Sequence, residues 1–542
     1  MLKGSLAALV AACALVASPL PRPASAASSE TAESAYAELR SAALADWSAD
    51  GALFIRTRFG AAEQLHRVTQ PLGMREQLSF GRHAVAGAVA SPVDANRIVL
   101  LQAHAGERQP SLVLRQLDDG SLRRLGDGRL RQELPRWSRD GKQIAFTAEA
   151  REGGRREIYL ADLASTAPPK RIAQREDQDL SVLDWSWDDR KLLLRGRVSP
   201  TDQRLYVLEL RSGALTQVEP APAPPPPPRK RLRGRFAAAP VVTPKPTKTV
   251  IGDAQFSRDG RGLYFVATRG DEFAGLHYAD LFTHEHRVLA PQDHADIDRM
   301  VLSRDGRLVA YTLNESGYSR LVVHDLTQRV DLLLPQPAAG SLIRGFAFDS
   351  EGKRLALSVE STTATRDVFV YTLEGTPTLT RWTRSETAIP GVATPAAPQA
   401  FRFATWDRVD TSYREIPAFL YKPRTPGPHP VLIDLHAGVE SPYRPGWSPG
   451  TQFAVNEMGY VVVAPDLRGT PGHGLAFMEL GEGRFRDDAL RDVGALLVWI
   501  GLQTDLDRSH VRLRTDPAGA TLGRAALAMY GDRIKNFDSP LQ

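Results

Sequence analysis

Cysteine is almost missing from this sequence: Cys13 is the only one in 542 residues. A disulfide scaffold is therefore excluded. Long apolar runs are equally scarce. The one pronounced stretch, Leu6 to Val16, is shorter than the ~20 residues a membrane-crossing helix needs, and no later segment approaches that length. An excess of charge is lacking too, because 68 Lys and Arg stand against 63 Asp and Glu, a formal net charge of +5. Five of the positive charges, Arg229, Lys230, Arg231, Arg233 and Arg235, crowd into one short segment. The rest of the chain is balanced, and no broad basic face is left for nucleic acid. The 12 histidines show no metal-ligand spacing, and His284-Glu285-His286 has the setting of a solvated turn. No cofactor or metal is expected. What remains is ordinary globular composition, 42% hydrophobic and 24% charged, in a chain too long for one hydrophobic core.

The first 26 residues have the form of an export leader. Lys3 supplies a short positive start, Leu6 to Val16 the apolar stretch, and Ala24-Ser25-Ala26 an A-x-A cleavage site, so a mature chain beginning at Ala27 is expected. The alternative is lipoprotein processing at Cys13, after Val10-Ala11-Ala12. It is disfavoured because the residues after Cys13 stay apolar and a good A-x-A follows. Either way the expected location is the periplasm or the exterior.

From there to about residue 385 a short pattern recurs: an aromatic or apolar residue, Ser-x-Asp-Gly, then three or four apolar residues. Clear copies are Trp47-Ser48-Ala49-Asp50-Gly51, Trp137-Ser138-Arg139-Asp140-Gly141, Phe256-Ser257-Arg258-Asp259-Gly260 and Leu302-Ser303-Arg304-Asp305-Gly306. Weaker ones are Ser91-Pro92-Val93-Asp94, Ser186-Trp187-Asp188-Asp189 and Asp349-Ser350-Glu351-Gly352. Each reads as a tight turn between two strands. First positions at 48, 91, 138, 186, 257, 303 and 349 are spaced by 43, 47, 48, 71, 46 and 46 residues. That period, with short strands in each unit, predicts a seven-bladed β-propeller over 27–390. The long spacing has a visible source in residues 219–248, where Pro224 to Pro228 precede the basic cluster. This reads as a solvated insertion in the fourth blade.

After about residue 400 the pattern changes. Pro430 to Leu435 and Tyr460 to Ala464 are continuous apolar strands of the kind covered on both faces. Leu490, Val493, Leu496, Leu497 and Ile500 repeat at helical spacing. Strand–helix alternation predicts an α/β domain over 400–542. Here the chain resembles the prolyl oligopeptidase family of serine peptidases, including its dipeptidyl- and acylaminoacyl-peptidase-like members. The likeness runs through Pro428 to Gly438, Ala464 to Gly474 and Asp492 to Ile500. It implies a propeller followed by an α/β-hydrolase domain, and cleavage of short peptides in the cavity between them. Its catalytic serine would sit on a G-x-S-x-G elbow, with Asp and His following in the chain. By the same resemblance His436, Ala437 and Gly438 match the oxyanion-side loop, usually His-Gly-Gly-Pro, with two departures.

The elbow of such a relative aligns with Thr515-Asp516-Pro517-Ala518-Gly519, so Pro517 occupies the serine position and offers no hydroxyl. Gly446-Trp447-Ser448-Pro449-Gly450 satisfies G-x-S-x-G literally, but Pro449 lacks the backbone N–H that an elbow donates to the oxyanion. No histidine follows His510, and the later strands that bear the family's Asp and His are not seen. The expected catalytic set is therefore empty. The favoured expectation is a truncated, inactive member of the family that binds peptides or unfolded segments. Alternatives are an active exported serine peptidase, an interaction propeller resembling TolB-like proteins, or a gene fragment. The shortened sheet carries two mechanical expectations. Arg512 and Arg514 mark the strand at 510–514 as a sheet edge or as partly solvated, and an open edge there, with self-association through the open sheet, is expected.

Overall fold

A computed structural model describes residues 35–102, 109–126, 128–133, 135–149, 153–221, 248–385, 394–436, 441–483, 487–517 and 519–537. The expected leader, most of the Pro- and Arg-rich insertion, and Ala437 and Gly438 lie outside them.

Seven antiparallel sheets succeed one another along the chain, over residues 42–77, 85–124, 131–173, 179–219, 251–290, 297–331 and 341–381. Each contains four strands paired in sequence order, and the third gains the two-residue strand Arg131–Gln132. This is the expected seven-bladed propeller. The second strand of each blade is its most apolar, as in Leu53-Phe54-Ile55 and Leu192-Leu193-Leu194, all at most 1% exposed. Such runs form because neighbouring blades cover both faces of the strand.

The repeated turn joins the first and second strands of every blade. Its serine hydroxyl donates to the aspartate two residues on, Ser138 to Asp140 at 2.7 Å and Ser257 to Asp259 at 2.6 Å. The same oxygen accepts from the N–H opening the next strand, Gln143 at 2.9 Å and Gly262 at 2.8 Å. The turn needs a left-handed residue after the aspartate, and Gly141 and Gly260 have φ of 70° and 69°. In the fourth blade Asp189 takes that place at φ 55°.

Among the described residues no strand is shared between blades, and the ring closes through side chains and one backbone bond, from the Leu72 N–H to the Trp382 carbonyl at 2.9 Å. The indole of Trp47 in blade one donates to the Ala347 carbonyl of blade seven at 2.9 Å. Trp47 also packs edge-on against Trp382, within a cluster joined by Leu53, Val368 and Val370. Trp137 and Trp185 repeat the indole bond, to Val89 and Arg136 of the preceding blades. The segment carrying the insertion leaves after the outer strand Leu215–Glu219 and returns at Ile251–Phe256. It therefore connects the fourth and fifth blades rather than interrupting the fourth.

The second domain is a six-stranded mixed sheet in the order Gln399–Val409, Ser412–Tyr421, Val461–Pro465, His429–Leu435, Leu506–Thr515, Lys535–Asn536. The first two strands run antiparallel to their neighbours and the last four are parallel. Helix Asp488–Leu502 covers one face, with Val493, Leu496, Leu497 and Ile500 against Ile433, Val463 and Leu513. Helix Pro449–Asn456 covers the other through Ala454 and Val455 against Leu432 and Val462.

The structure corrects the expected open edge at 510–514. Arg512 and Leu513 pair with Lys535 and Asn536, a short strand following helix Ala520–Tyr530. The arginines are accommodated without that strand lying at the edge. Arg514 lies opposite Asp434 on the adjacent strand and donates to its carboxylate at 2.5 Å. Its guanidinium also donates to Thr451 Oγ1 at 2.8 Å. A paired, half-buried charge escapes most of the penalty that an isolated one incurs.

The α/β domain sits on the propeller face opposite the Ser-x-Asp-Gly turns. It meets the loops joining second and third strands in blades four to seven. Glu482 accepts from Ser199 Oγ at 2.9 Å and the Thr201 N–H at 3.0 Å. Leu475 N–H donates to the Glu272 carbonyl at 2.8 Å. Arg444 reaches the Gly317 carbonyl at 2.7 Å, Ser319 Oγ at 2.8 Å and the carboxylate of Asp298. Thr362 Oγ1 donates to the Pro445 carbonyl at 2.8 Å.

Candidate functional site

The carboxyl ends of the parallel strands converge toward the propeller, the usual place for a site in an α/β sheet. His436 follows the strand His429–Leu435, Asp466 follows Val461–Pro465, and Asp516-Pro517 follows Leu506–Thr515. Asp466 is 3% exposed and anchors the group. It accepts from the Tyr443 N–H at 2.7 Å and lies 2.9 Å from His473 Nε2. His436 Nε2 is 3.3 Å away on the other carboxylate oxygen, although neither ring nitrogen makes a well-formed hydrogen bond among the described residues. Burial alone would raise the Asp466 carboxyl, but the close approach of the His436 and His473 imidazoles outweighs it and holds the group below its usual range. The ring of His436 stands edge-on to Tyr443, whose hydroxyl meets that of Tyr421 at 2.8 Å. Desolvation pushes both phenols upward, so they stay neutral donors and acceptors.

The segment expected to carry the elbow lies between strand Leu506–Thr515 and helix Ala520–Tyr530, and Gly519 presses on the adjacent strand so closely that a Cβ would meet the Leu435 carbonyl oxygen at 2.5 Å. A Cβ at Gly523 would meet Thr515 in the same way. Pro517 is exposed at the apex. The Asp516 carboxylate turns back to accept from the Gly519 N–H at 2.6 Å, capping the turn rather than facing a substrate.

Two other serines have neighbours that invite comparison with a nucleophile. Ser448 is the N-cap of helix Pro449–Asn456; its Oγ accepts from Thr451 N and donates to Thr451 Oγ1 at 2.9 Å. Ser509, His510 and Asp507 form a compact trio, with Ser509 Oγ 3.3 Å and Asp507 Oδ2 2.7 Å from the same His510 Nδ1. A working triad places serine and carboxylate on opposite ring nitrogens. This trio is a local bulge in the strand Leu506–Thr515, bound by Ser509 to Asp507 at 2.5 Å.

Of the expected loop residues, only His436 is described, and it belongs to the Asp466 cluster. Sequence reasoning misses His473 and Tyr443. Their signal is weak, since each is a lone residue in a loop whose partner is set by tertiary contact. Among the described residues no group of three His, Cys, Asp or Glu could hold a metal ion.

No family model matches the chain. Two curated relatives, both dipeptidyl-peptidase 5, from Trichophyton equinum and Trichophyton tonsurans, are each 28% identical over 162 residues, or 29% of this chain. The match spans only 20% of those relatives' length. Among solved structures, one from a study of two prolyl endopeptidases superposes with a TM-score of 0.74 at 13% identity, covering 92% of this chain and 72% of its own. Prolyl oligopeptidase B from Galerina marginata, bound to a 25-residue macrocyclization substrate, superposes with the same TM-score of 0.74, at 13% identity and coverage of 93% and 72%. Seven blades leading into an α/β-hydrolase sheet, together with local sequence similar to the dipeptidyl-peptidases, give the chain the prolyl oligopeptidase fold and bear out its resemblance to that family.

Proposed function

We propose that this chain is a non-hydrolytic member of the family, exported by its leader, which holds peptides or unfolded segments without cutting them. One observation carries the reading: the apex of the elbow is Pro517, exposed and without a hydroxyl. The turn around it keeps the close packing of Gly519 on Leu435, so the loss of the nucleophile is not a collapse of the turn. Ser448 is committed to a helix cap, and Ser509 shares one imidazole nitrogen with its own acid.

The test is labelling of the purified chain with a fluorophosphonate probe, together with fluorescence polarisation of dye-labelled peptides of about ten residues. The expected result is no serine adduct by mass spectrometry and saturable peptide binding. A stoichiometric adduct on Ser448, Ser509 or any other serine overturns the inactivity. Absence of peptide binding overturns the holding role.

A further inference from the structure

The x position of the repeated Ser-x-Asp-Gly turn points at the propeller axis in all seven blades, on the face away from the α/β domain. These residues ring a cavity of about 310 Å³. Blades three to six contribute Arg139, Trp187, Arg258 and Arg304 in succession, while blades seven, one and two contribute only Ser350, Ala49 and Pro92. One arc of the mouth is thus cationic and bulky, and the opposite arc is small and open.

The cationic arc is held in place by its own contacts. The indole of Trp187 is sandwiched between two guanidiniums, Arg139 at 4.2 Å and Arg258 at 4.1 Å from its ring centre. Gly306 at the next turn leaves room for Arg258, since a Cβ there would lie 2.6 Å from the Arg258 Cβ. Arg304 extends across the mouth to the Pro92 carbonyl at 3.0 Å. Arg139 is neutralised by Asp184 at 2.7 Å. The other two acids of the lining are engaged elsewhere: Asp46 by the N–H groups of Trp47 and Ala90, and Asp349 by Arg354. Arg258 and Arg304 have no ion pair among the described residues, and the Trp187 indole N–H is buried there with no partner. Burial and the neighbouring positive charges of Arg139 and Arg258 lower the Arg304 guanidinium, a sign that the arc holds more positive charge than it compensates.

We propose that this mouth is a binding site for a small oxyanion, a carboxylate or a phosphate group, seated between Arg258 and Arg304. Guanidinium forks match both anions in a bidentate manner, and a concave wall of one sign concentrates them. The site lies in the propeller and does not depend on the fate of the elbow, which belongs to the other domain.

Isothermal titration of the full chain with inorganic phosphate, and separately with the tripeptide Glu-Glu-Glu, tests it. Saturable binding near or below about 1 mM is expected for at least one probe, weakening as NaCl rises from about 50 to 200 mM. The probe that binds more tightly identifies the source of the anion. The double variant R258Q/R304Q should weaken binding at least ~10-fold, whereas R287Q, an exposed arginine paired with Glu285 on an outer strand, should not. R258K/R304K keeps the charge without the fork and should fall between. Absence of saturable binding of both probes, or equal binding by wild type and R258Q/R304Q at an unchanged melting temperature, overturns the proposal.

Discussion

Arg468 and Asp492 form a buried two-point ion pair, with Nε to Oδ2 at 2.8 Å and Nη2 to Oδ1 at 2.6 Å. Their side chains are 2% and 0% exposed. Thr405 Oγ1 donates to the same carboxylate at 2.5 Å, and Asp407 takes the remaining side of the guanidinium at 2.8 Å. The pair joins the loop after strand Val461–Pro465 to helix Asp488–Leu502 and to the first strand of the sheet. Replacing Asp492 by Asn leaves Arg468 with a weakened partner deep in the domain. A loss of about 3–5 kcal/mol is expected for unpairing a buried charge, read by chemical denaturation of the full chain. A loss under about 1 kcal/mol would show that Asp407 alone satisfies the arginine.

Gly519 offers a second, purely steric test. An added methyl meets the Leu435 carbonyl, which belongs to a central strand and has no freedom to withdraw. G519A should cost about 1–3 kcal/mol, with the α/β domain unfolding before the propeller in calorimetry. An unchanged melting profile would mean that the elbow has slack.

The seam between blades one and seven is probed by Trp47. W47F removes the indole bond to Ala347 but keeps most of the packing, and should cost about 1 kcal/mol. W47A also empties the space beside Trp382 and should cost about 3–5 kcal/mol. Equal losses for the two variants would assign the joint to the hydrogen bond rather than to packing.

Asp46 gives a pH-dependent expectation. Burial raises its carboxyl from 3.8 to about 6, against the opposing bonds from Ala90 and Trp47. A raised folded-state value means that folding favours the protonated acid. Relative to D46N, the wild type should gain stability as the pH falls from about 7 to 4 and should plateau below. Asp46 lines the channel and is partly reached by water, which holds the gain to about 1–2 kcal/mol. Parallel melting curves for wild type and D46N across this range would refute the assignment.

The helix over Asp488–Leu502 is legible in the sequence because its apolar residues keep a 3.6 period and face one side of the sheet. The propeller is legible because one turn recurs seven times, and the aspartate and glycine of that turn have backbone reasons to recur. The pair of long strands Gln399–Val409 and Ser412–Tyr421 is not. Phe401, Phe403 and Thr405 alternate with Arg402 and Ala404, and only Phe403 and Thr405 are fully buried, so the signal is faint. The pairing of Arg468 with Asp492 and of Arg514 with Asp434 is beyond reach of any local pattern, because a charge gives no sign of its partner along the chain. The expected edge at 510–514 fails for the same reason. Lys535–Asn536 is two residues long, and nothing in so short a segment announces a strand.

Every blade is a single uninterrupted stretch of chain, and among the described residues no strand pairing joins one blade to the next; only single backbone bonds cross, such as Leu72 N–H to the Trp382 carbonyl and Ile297 N–H to the Ala274 carbonyl, each at 2.9 Å. The ring therefore has no shared strand as a clasp: the seam where its first and last units meet repeats the indole-to-carbonyl bond found at two other joints. Unit count is then set by the wedge angle between neighbours rather than by strand pairing. Duplication or deletion of one unit would leave every remaining sheet intact and change only the bore of the channel, as in other repeat architectures assembled from nearest-neighbour contacts. The Arg-Trp-Arg-Arg arc is a property of unit order, since shuffling the units would scatter its charges without altering a single strand.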